Sequence, residues 1–200
     1  MPVAARTARA ERAQATRRRI VEAAGPLFVE LGYLETTMAA IARAAGVAVQ
    51  TLYLCFGSKA AVLEGALAAA GDDRPSGWQA RLRDEPDGRA ALTAYVAATA
   101  AIVERRHPLA AVLRAASADP EPAQLLERSR QGALANHASA VDELAEKPGF
   151  TERISLQRAT EIVAAMLAPE TYALLVVEHG WPPPEWCDWT ARHLAVDLFP

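Results

Sequence analysis

The sequence predicts an all-α protein with a small N-terminal module and a larger helical body. Apolar residues recur at helical spacing in segment after segment, and sustained alternation of apolar and polar residues is almost absent. Stretches rich in Gly, Pro or Asp separate these segments and divide the chain into roughly nine or ten helices. At 200 residues and 52% hydrophobic composition, the chain is long enough for two domains with separate cores.

The first helix is expected from Thr16 to Leu31, where Gly32 ends it. Its apolar face is formed by Ile20, Ala24, Leu27, Phe28 and Leu31. Pro26 lies inside this helix and removes a backbone donor, at a cost of about 3 kcal/mol when nothing compensates. A kink is therefore expected between Glu22 and Pro26.

A second, short helix is expected from Met38 to Ala45. Thr36 or Thr37 precedes it and offers a side-chain oxygen that can cap its first turn. Its inward face consists of small or apolar residues, which allow another helix to approach closely. Gly46 then supplies the backbone freedom that a tight turn requires.

A third helix, from about Val49 to Cys55, follows this turn. It directs Leu52 and Phe56, one turn apart, toward the interior. Two short helices joined by a glycine-containing turn and braced by a longer helix form a helix-turn-helix. The N-terminal module is therefore predicted to be a three-helix unit of this kind.

The residues from Thr16 to Leu67 fix core, turn and phosphate-contact positions together. They carry Gly32-Tyr33, Thr36-Thr37, Ile41-Ala42, Ala45-Gly46-Val47, Thr51-Leu52-Tyr53, Phe56 and Ser58-Lys59. This pattern resembles the N-terminal domain of the TetR family of regulators. The resemblance implies a DNA-binding transcriptional regulator, not an enzyme, whose helical body binds an effector and forms the dimer.

These considerations predict three regions: a basic, flexible N-terminal arm over 1–15, the helix-turn-helix domain over 16–60, and an effector-binding and dimerisation domain over 61–200. The charge distribution agrees with this division. Residues 1–64 hold eight basic and five acidic side chains, while the whole chain carries a formal charge of −3. Only the N-terminal third is thus suited to a polyanion, although many basic tails bind nothing.

In proteins that resemble this one, the first turn of the third helix presents side chains to base edges in the major groove. Gln50 can pair with adenine through two hydrogen bonds, Thr51 can donate or accept one, and Val49 can contact a thymine methyl group. Tyr53 and Lys59 resemble phosphate contacts of the family. The alternative reading is that Gln50 and Thr51 are solvated and that Tyr53 is a half-buried core aromatic.

The resemblance implies further backbone contacts. Thr37 combines helix capping with a phosphate contact, and Arg17 and Arg18 reach the DNA backbone or the minor groove. The arginines are equally well explained as an exposed helix start. The pair Leu54-Cys55 departs from the family, which more often has a polar or aromatic pair there, so one DNA contact is expected to be missing.

The helical body is expected to hold an apolar pocket for a small effector of unknown identity. Its candidate wall residues come from helices that should surround the core: Trp78, Tyr95, Ile102, Leu113, Leu134, His137, Met166 and Tyr172. Ordinary core packing is the alternative for each of them. The long irregular stretch between Gly71 and Gly88 should hold only a short helical piece near Trp78.

Dimerisation is expected through two C-terminal helices, about Thr151 to Leu167 and Pro184 to Leu198, which in related proteins pack as a four-helix bundle. Trp189 and Leu194 are candidates for the seam between subunits, and core packing is the alternative. A two-fold homodimer would bind an inverted-repeat operator.

Other classes of function find little support. The sequence has no Gly-rich phosphate loop, nucleophile elbow or metalloprotease motif, so neither cofactor nor metal is expected. A metal site from Glu104, His107 and His137 is the weak alternative. The two cysteines, Cys55 and Cys187, lack metal spacing and are expected to be reduced and structural.

The apolar runs near the C-terminus are broken by Pro169 and by charges, so no membrane span is expected. With no apolar segment typical of a secretory signal, the expected compartment is the cytoplasm. The predicted function is a ligand-responsive homodimeric repressor. The alternatives are a regulator that activates or has no small-molecule effector, and a helical enzyme.

Overall fold

A computed structural model describes residues 3–71 and 78–200, with side chains from residue 10 onward in the first range. Within these ranges the chain forms α-helices and one π-helical segment and no strand, which confirms the all-α prediction. The α-helices are α1 (Val3–Glu35), α2 (Met38–Ala44), α3 (Val49–Phe56), α4 (Lys59–Gly71), α5 (Trp78–Asp84), α6 (Gly88–Ala115), α7 (Pro120–Ala145), α8 (Leu156–Met166), α9 (Pro169–Tyr172) and α10 (Pro183–Leu198), and the π-helical segment is Ala173–Glu178. Residues 72–77, part of the irregular stretch expected after Gly71, lie outside the described residues.

Helix α1 begins earlier than expected, breaks at Gly32 as expected, and lacks the kink expected near Pro26. It starts at Val3 instead of Thr16, so residues 3–15, predicted as an arm, are helical. The expected kink before Pro26 is absent, because Gly32 is the residue with non-helical dihedral angles, φ 78° and ψ 173°. This left-handed φ suits glycine, which has no Cβ to clash with the backbone.

The two adjacent threonines have different partners. Thr37 caps α2, since its side chain accepts a hydrogen bond of 3.1 Å from the Ala40 amide. Thr36 is buried and donates instead to the carbonyls of Leu27 (3.1 Å) and Gly32 (2.7 Å). Its single hydroxyl proton is shared between these two carbonyls, next to the break at Gly32.

By internal contacts the chain forms two compact units, Met1–Asp72 with Pro108–Leu126, and Asp73–His107 with Glu127–Pro200. In the first unit, α1 packs against α2 and α4, and α3 packs against α2 and α4. A Cβ on Gly65 would lie 2.8 Å from Val21 Cγ1 and 3.0 Å from Phe56 Cε1, so glycine permits this close approach. The largest buried side chains of this core are Ile20, Phe28, Ile41, Leu52, Leu63 and Leu113.

The second unit has its own core, and α10 packs there against α8 and the π-helical segment. Its largest fully buried side chains are Leu92, Leu144, Leu167, Trp186, Leu194 and Leu198. Helix α8 begins at the cap Ser155, whose side chain accepts a hydrogen bond of 3.2 Å from the Arg158 amide. The chain then leaves helical geometry at Ala168, and Pro169 starts α9 as its first residue.

One of the two expected seam residues lies inside the subunit. Leu194 is 0% exposed in the core of the second unit, so its assignment to the dimer seam was wrong. Trp189 is only partly buried, with its ring 5.8 Å from the ring of Trp181 and 4.6 Å from that of His193.

The stretch Leu156–Glu178 is, by length and composition, able to cross a membrane, because it is 23 residues long and an 18-residue window within it reaches a mean hydropathy of 1.5. No span was expected from the sequence, because Pro169 divides the apolar residues of this stretch into two short runs. Such a stretch is weak support for a membrane protein, since core helices of soluble proteins meet the same criterion. Only 22% of the apolar window is buried within this chain, so much of it faces outward.

Two leucines of α3, one buried and one exposed, test which face of this helix packs against the core. Leu52→Ala should lower the free energy of unfolding by about 2 to 5 kcal/mol, because Leu52 is fully buried and its loss leaves a cavity. Leu54→Ala, two residues away, should change it by less than about 0.5 kcal/mol, because Leu54 is 83% exposed. Urea denaturation followed by circular dichroism measures both, and equal losses would contradict this placement of α3.

Candidate nucleic-acid interface

Helices α2 and α3 meet at the angle that a helix-turn-helix requires. The chain bends by 106° between Met38–Ala44 and Val49–Phe56, within the range of about 90 to 120° for this motif. Gly46 makes the bend with φ 63°, and the Val47 amide donates to the Ala42 carbonyl at 3.0 Å. The turn thus fixes the direction of α3 through its backbone.

Helix α3 buries one face and exposes the other. Leu52 is buried, whereas Gln50, Tyr53 and Leu54 are exposed, Tyr53 by 51% and Leu54 by 83%. Residues three or four apart share a helix face, so these three side chains form one exposed surface. Val49 is also exposed, one turn before Tyr53, and Thr51 is half-buried at the edge. The expected base-reading residues therefore lie where a groove could be met.

Arg17 braces α3 from α1. Its guanidinium donates to the carbonyl of Cys55 and lies 4.2 Å from the centre of the Phe56 ring. A cation at the C-terminus of a helix also interacts favourably with the helix dipole. Arg17 thus has partners on α3, which sequence reasoning did not foresee.

Lys59 has a similar bracing role. Its ammonium donates to the carbonyls of Tyr33, at 2.5 Å, and Leu34, at 3.2 Å, and lies 4.3 Å from the centre of the Tyr33 ring. Partial burial lowers the pKa of Lys59, and the charges of Asp119 and Glu35 oppose that shift. The expected phosphate contact by Lys59 therefore competes with bonds to the end of α1.

Tyr33, near the end of α1, is the aromatic partner of Lys59. Its ring stacks on Phe28, with centroids 6.1 Å apart and planes 12° apart. Burial raises the pKa of Tyr33, and the carboxylates of Asp119 and Glu121 raise it further. The turn between α6 and α7 thus places negative charge near the Lys59 ammonium.

The remaining candidates are at the surface. Arg18 is exposed and pairs with Glu22 at 3.4 Å, and Thr37 is exposed as the cap of α2. Sequence reasoning treated Leu54 as a departure from a family pattern and missed its place beside Gln50. It also missed Ser58 as a cap, although its side chain accepts a hydrogen bond of 3.2 Å from the Ala61 amide.

The candidate pocket residues do not all come together. Tyr95 links Trp78, 5.7 Å away between ring centres, to His137, whose Nδ1 is 2.7 Å from the Tyr95 hydroxyl. Leu113, by contrast, lies in the core of the first unit, and Leu134 is nearly half exposed.

The remaining three candidate pocket residues also lie in the second unit. Ile102 is buried, Met166 packs against the core, and Tyr172 is buried with its ring 5.1 Å from those of His107 and Trp186. A surface cavity of about 300 Å³ exists elsewhere, between Pro86–Arg89 and the C-terminal Phe199, and none of the eight candidates lines it.

No group of three or more potential metal ligands occurs among residues 3–71 and 78–200. The set of Glu104, His107 and His137 therefore forms no such group there. Both cysteines are free thiols, and burial raises the pKa of Cys187.

No curated protein sequence matches the chain significantly.

Residues 20–66 match the family model described as bacterial regulatory proteins, tetR family. Solved structures add similarity over most of the chain. A putative TetR-family transcriptional regulator from Syntrophomonas wolfei has a TM-score of 0.76 and 17% identity, over 92% of this chain and 95% of that one.

Two further structures are similar to the same extent. The transcriptional regulator FadR from Bacillus subtilis, solved with stearoyl-CoA, has a TM-score of 0.72 and 19% identity, over 90% of this chain and 98% of that one. NalD from Pseudomonas aeruginosa, the secondary repressor of the MexAB-OprM multidrug efflux pump, has a TM-score of 0.73 and 20% identity, over 94% and 98%. At these identities the similarity shows the fold alone.

Lys59 should contribute to stability as well as to any contact with DNA. Lys59→Met keeps most of the side-chain stem but removes the bonds to the carbonyls of Tyr33 and Leu34, so the free energy of unfolding should fall by about 1 to 2 kcal/mol. Arg18→Met is the matched control, because its exposed ion pair should contribute less than about 1 kcal/mol. Urea denaturation compares them, and a Lys59→Met variant as stable as wild type would contradict the bracing role.

Proposed function

We propose that this chain is a TetR-family regulator that represses transcription as a ligand-responsive homodimer, because residues 20–66 match the family model and the fold is similar to that of TetR-family regulators. The DNA target is an inverted-repeat operator, and the effector is a small apolar molecule. No catalytic step is part of this function, and the compartment is the cytoplasm.

The exposed face of α3 carries the proposal. Gln50, Tyr53 and Leu54 project from a helix whose other face is buried, and the bend after α2 sets this helix at the edge of the unit. Gln50 has the amide pair that reads adenine, and the methyl-bearing side chains of Leu54 and Val49 suit thymine methyl groups. The surplus of basic residues in the N-terminal third adds attraction for DNA.

A homodimer is supported by apolar side chains that the second unit leaves exposed. They are Leu156, Leu174, Val177 and Val196. They belong to α8, the π-helical segment and α10, and α10 packs against each of the other two. An apolar surface of this kind at contacting helices is typical of an interface with a second copy. It replaces Leu194 as the proposed seam.

Repression that an effector relieves rests on similarity to other proteins. NalD is a repressor, and the Bacillus subtilis FadR structure contains stearoyl-CoA, so this fold accommodates both properties. The opposite readings, activation or the absence of a small-molecule effector, are separated from it by a reporter gene placed behind the operator. Expression that rises when the regulator is deleted supports repression.

Selection of bound sequences from random DNA should yield the operator, and two variants then separate base reading from backbone contact. Gln50→Ala should weaken operator binding by about 1 to 3 kcal/mol and relax one position of the half-site. Tyr53→Phe removes only a hydroxyl and should weaken operator and random DNA alike. Fluorescence anisotropy at fixed salt measures both. Equal loss on operator and random DNA for Gln50→Ala would contradict its assignment as a base reader.

The dimer should depend on the exposed apolar residues of the second unit. A Val177→Glu, Val196→Glu variant should scatter light as a monomer of 21.4 kDa, keep its helical circular dichroism and lose tight operator binding. Val29→Glu is the control, since Val29 is exposed on α1 in the first unit. A double variant that stays dimeric would place the interface on another surface.

A further inference from the structure

Several polar atoms in the core of the second unit lack a hydrogen-bond partner among the described residues. They are Thr99 Oγ1, Trp186 Nε1 and Thr190 Oγ1. Trp186 is 1% exposed and Thr190 is 0% exposed, so water at the surface does not reach them. Buried polar groups are nearly always paired in native proteins, and each exception needs a physical reason.

Trp186 and Thr190 lie on the same face of α10, and the side chain of each carries an unpaired donor. They are four residues apart, which places one above the other on a helix. A buried helical threonine commonly donates to the carbonyl four residues earlier, as Thr160 does to Leu156 at 2.9 Å. Thr190 does not, although the equivalent carbonyl belongs to Trp186. The hydroxyl and the indole N–H are therefore both available to a common partner.

The side chains and backbone next to Trp186, here called the wall, are the Tyr172 ring and the π-helical segment that follows it. The Tyr172 ring meets the Trp186 ring edge to face, with centroids 5.1 Å apart. Tyr172 directly precedes the π-helical segment, in which the His179 amide donates to the carbonyl of Leu174 at 3.1 Å. Such i to i+5 turns are rare and frequently lie at functional sites. This segment packs against α10.

The donors and the local charge limit what the partner can be. An indole N–H can only donate, so the partner must carry an acceptor. Burial raises the pKa of Tyr172, and the carboxylate of Glu104 raises it further. Both donors are buried among aromatic rings, which disfavours a charged acceptor because burial strips a charge of its hydration, and favours an apolar body.

We propose that the second unit binds a neutral, largely aromatic molecule whose carbonyl oxygen accepts hydrogen bonds from Trp186 Nε1 and Thr190 Oγ1. Because both donors are buried, binding selects a conformation in which Tyr172 has moved away from Trp186. This inference rests on the proposed function only in identifying the bound molecule as the effector.

Three naphthalene probes of similar shape test the acceptor directly. 2-Acetylnaphthalene carries a neutral carbonyl, 2-isopropenylnaphthalene replaces its oxygen by a methylene group, and 2-naphthoate is anionic. Calorimetric titration of the whole protein should show the ketone binding about tenfold more tightly than the alkene. The naphthoate should bind more weakly than the ketone.

The variants Trp186→Phe and Thr190→Val each remove one donor and keep most of the side-chain volume. Trp186→Phe should abolish the preference for the ketone, and Thr190→Val should reduce it. Trp189→Phe, on the same helix, should keep it. Without a probe, Thr190→Val should melt no lower than wild type, because it replaces an unpaired buried hydroxyl by a methyl group of similar size. Trp186→Phe should melt lower, because the smaller ring leaves a cavity in the core.

Equal binding of ketone and alkene, a preference that survives in Trp186→Phe, or no ketone binding at about 1 mM would overturn the inference. Operator affinity measured in the same samples separates it from the proposed function. If the ketone binds with the stated preference while operator affinity stays constant, the ligand site is supported and the effector-controlled part of the proposed function fails.

Discussion

The burial of Leu52 is the interaction on which the exposed surface of α3 depends. Leu52 is the fully buried residue of α3, and its packing decides which side of this short helix faces outward. An eight-residue helix is too short to be stable alone, so its orientation must come from tertiary contacts. Gly46 forms the turn that leads into the helix. Arg17 donates a hydrogen bond to the Cys55 carbonyl at the end of α3, and Lys59 donates one to the Tyr33 carbonyl at the end of α1. Gln50, Tyr53 and Leu54 are exposed as a result.

The sequence was most informative where periodicity and glycine act locally. The positions of Gly32 and Gly46, the inward Leu52 and the cap Thr37 all follow from rules that operate within one or two turns. The break at Gly32 instead of Pro26 shows that a proline can remain helical within a long, packed helix. Sequence alone did not show that Lys59 and Arg17 bind carbonyls of other helices, because such contacts join residues 26 and 38 positions apart.

The C-terminal helix α10 is a second case in which sequence alone did not show which residues a side chain contacts. Trp189 and Leu194 are five residues apart, and periodicity alone does not tell an inward face from an interface between subunits when both are apolar. The fold resolves this, since Leu194 packs inside the second unit while Val196 is exposed. Apolar residues that remain exposed, together with polar atoms that remain buried without partners, are thus the features of this unit that point beyond the single chain.

The central claim is that α3 meets DNA in the major groove as one half of a symmetric pair. Dimethyl sulphate protection on the selected operator tests it most directly, because this reagent methylates guanine N7 in the major groove and adenine N3 in the minor groove. The account predicts protected guanines in two patches related by symmetry, about 34 to 36 Å apart or a multiple of that distance, with loss of both patches in Val177→Glu, Val196→Glu. Protection confined to adenine N3, or a single patch bound tightly, would contradict it.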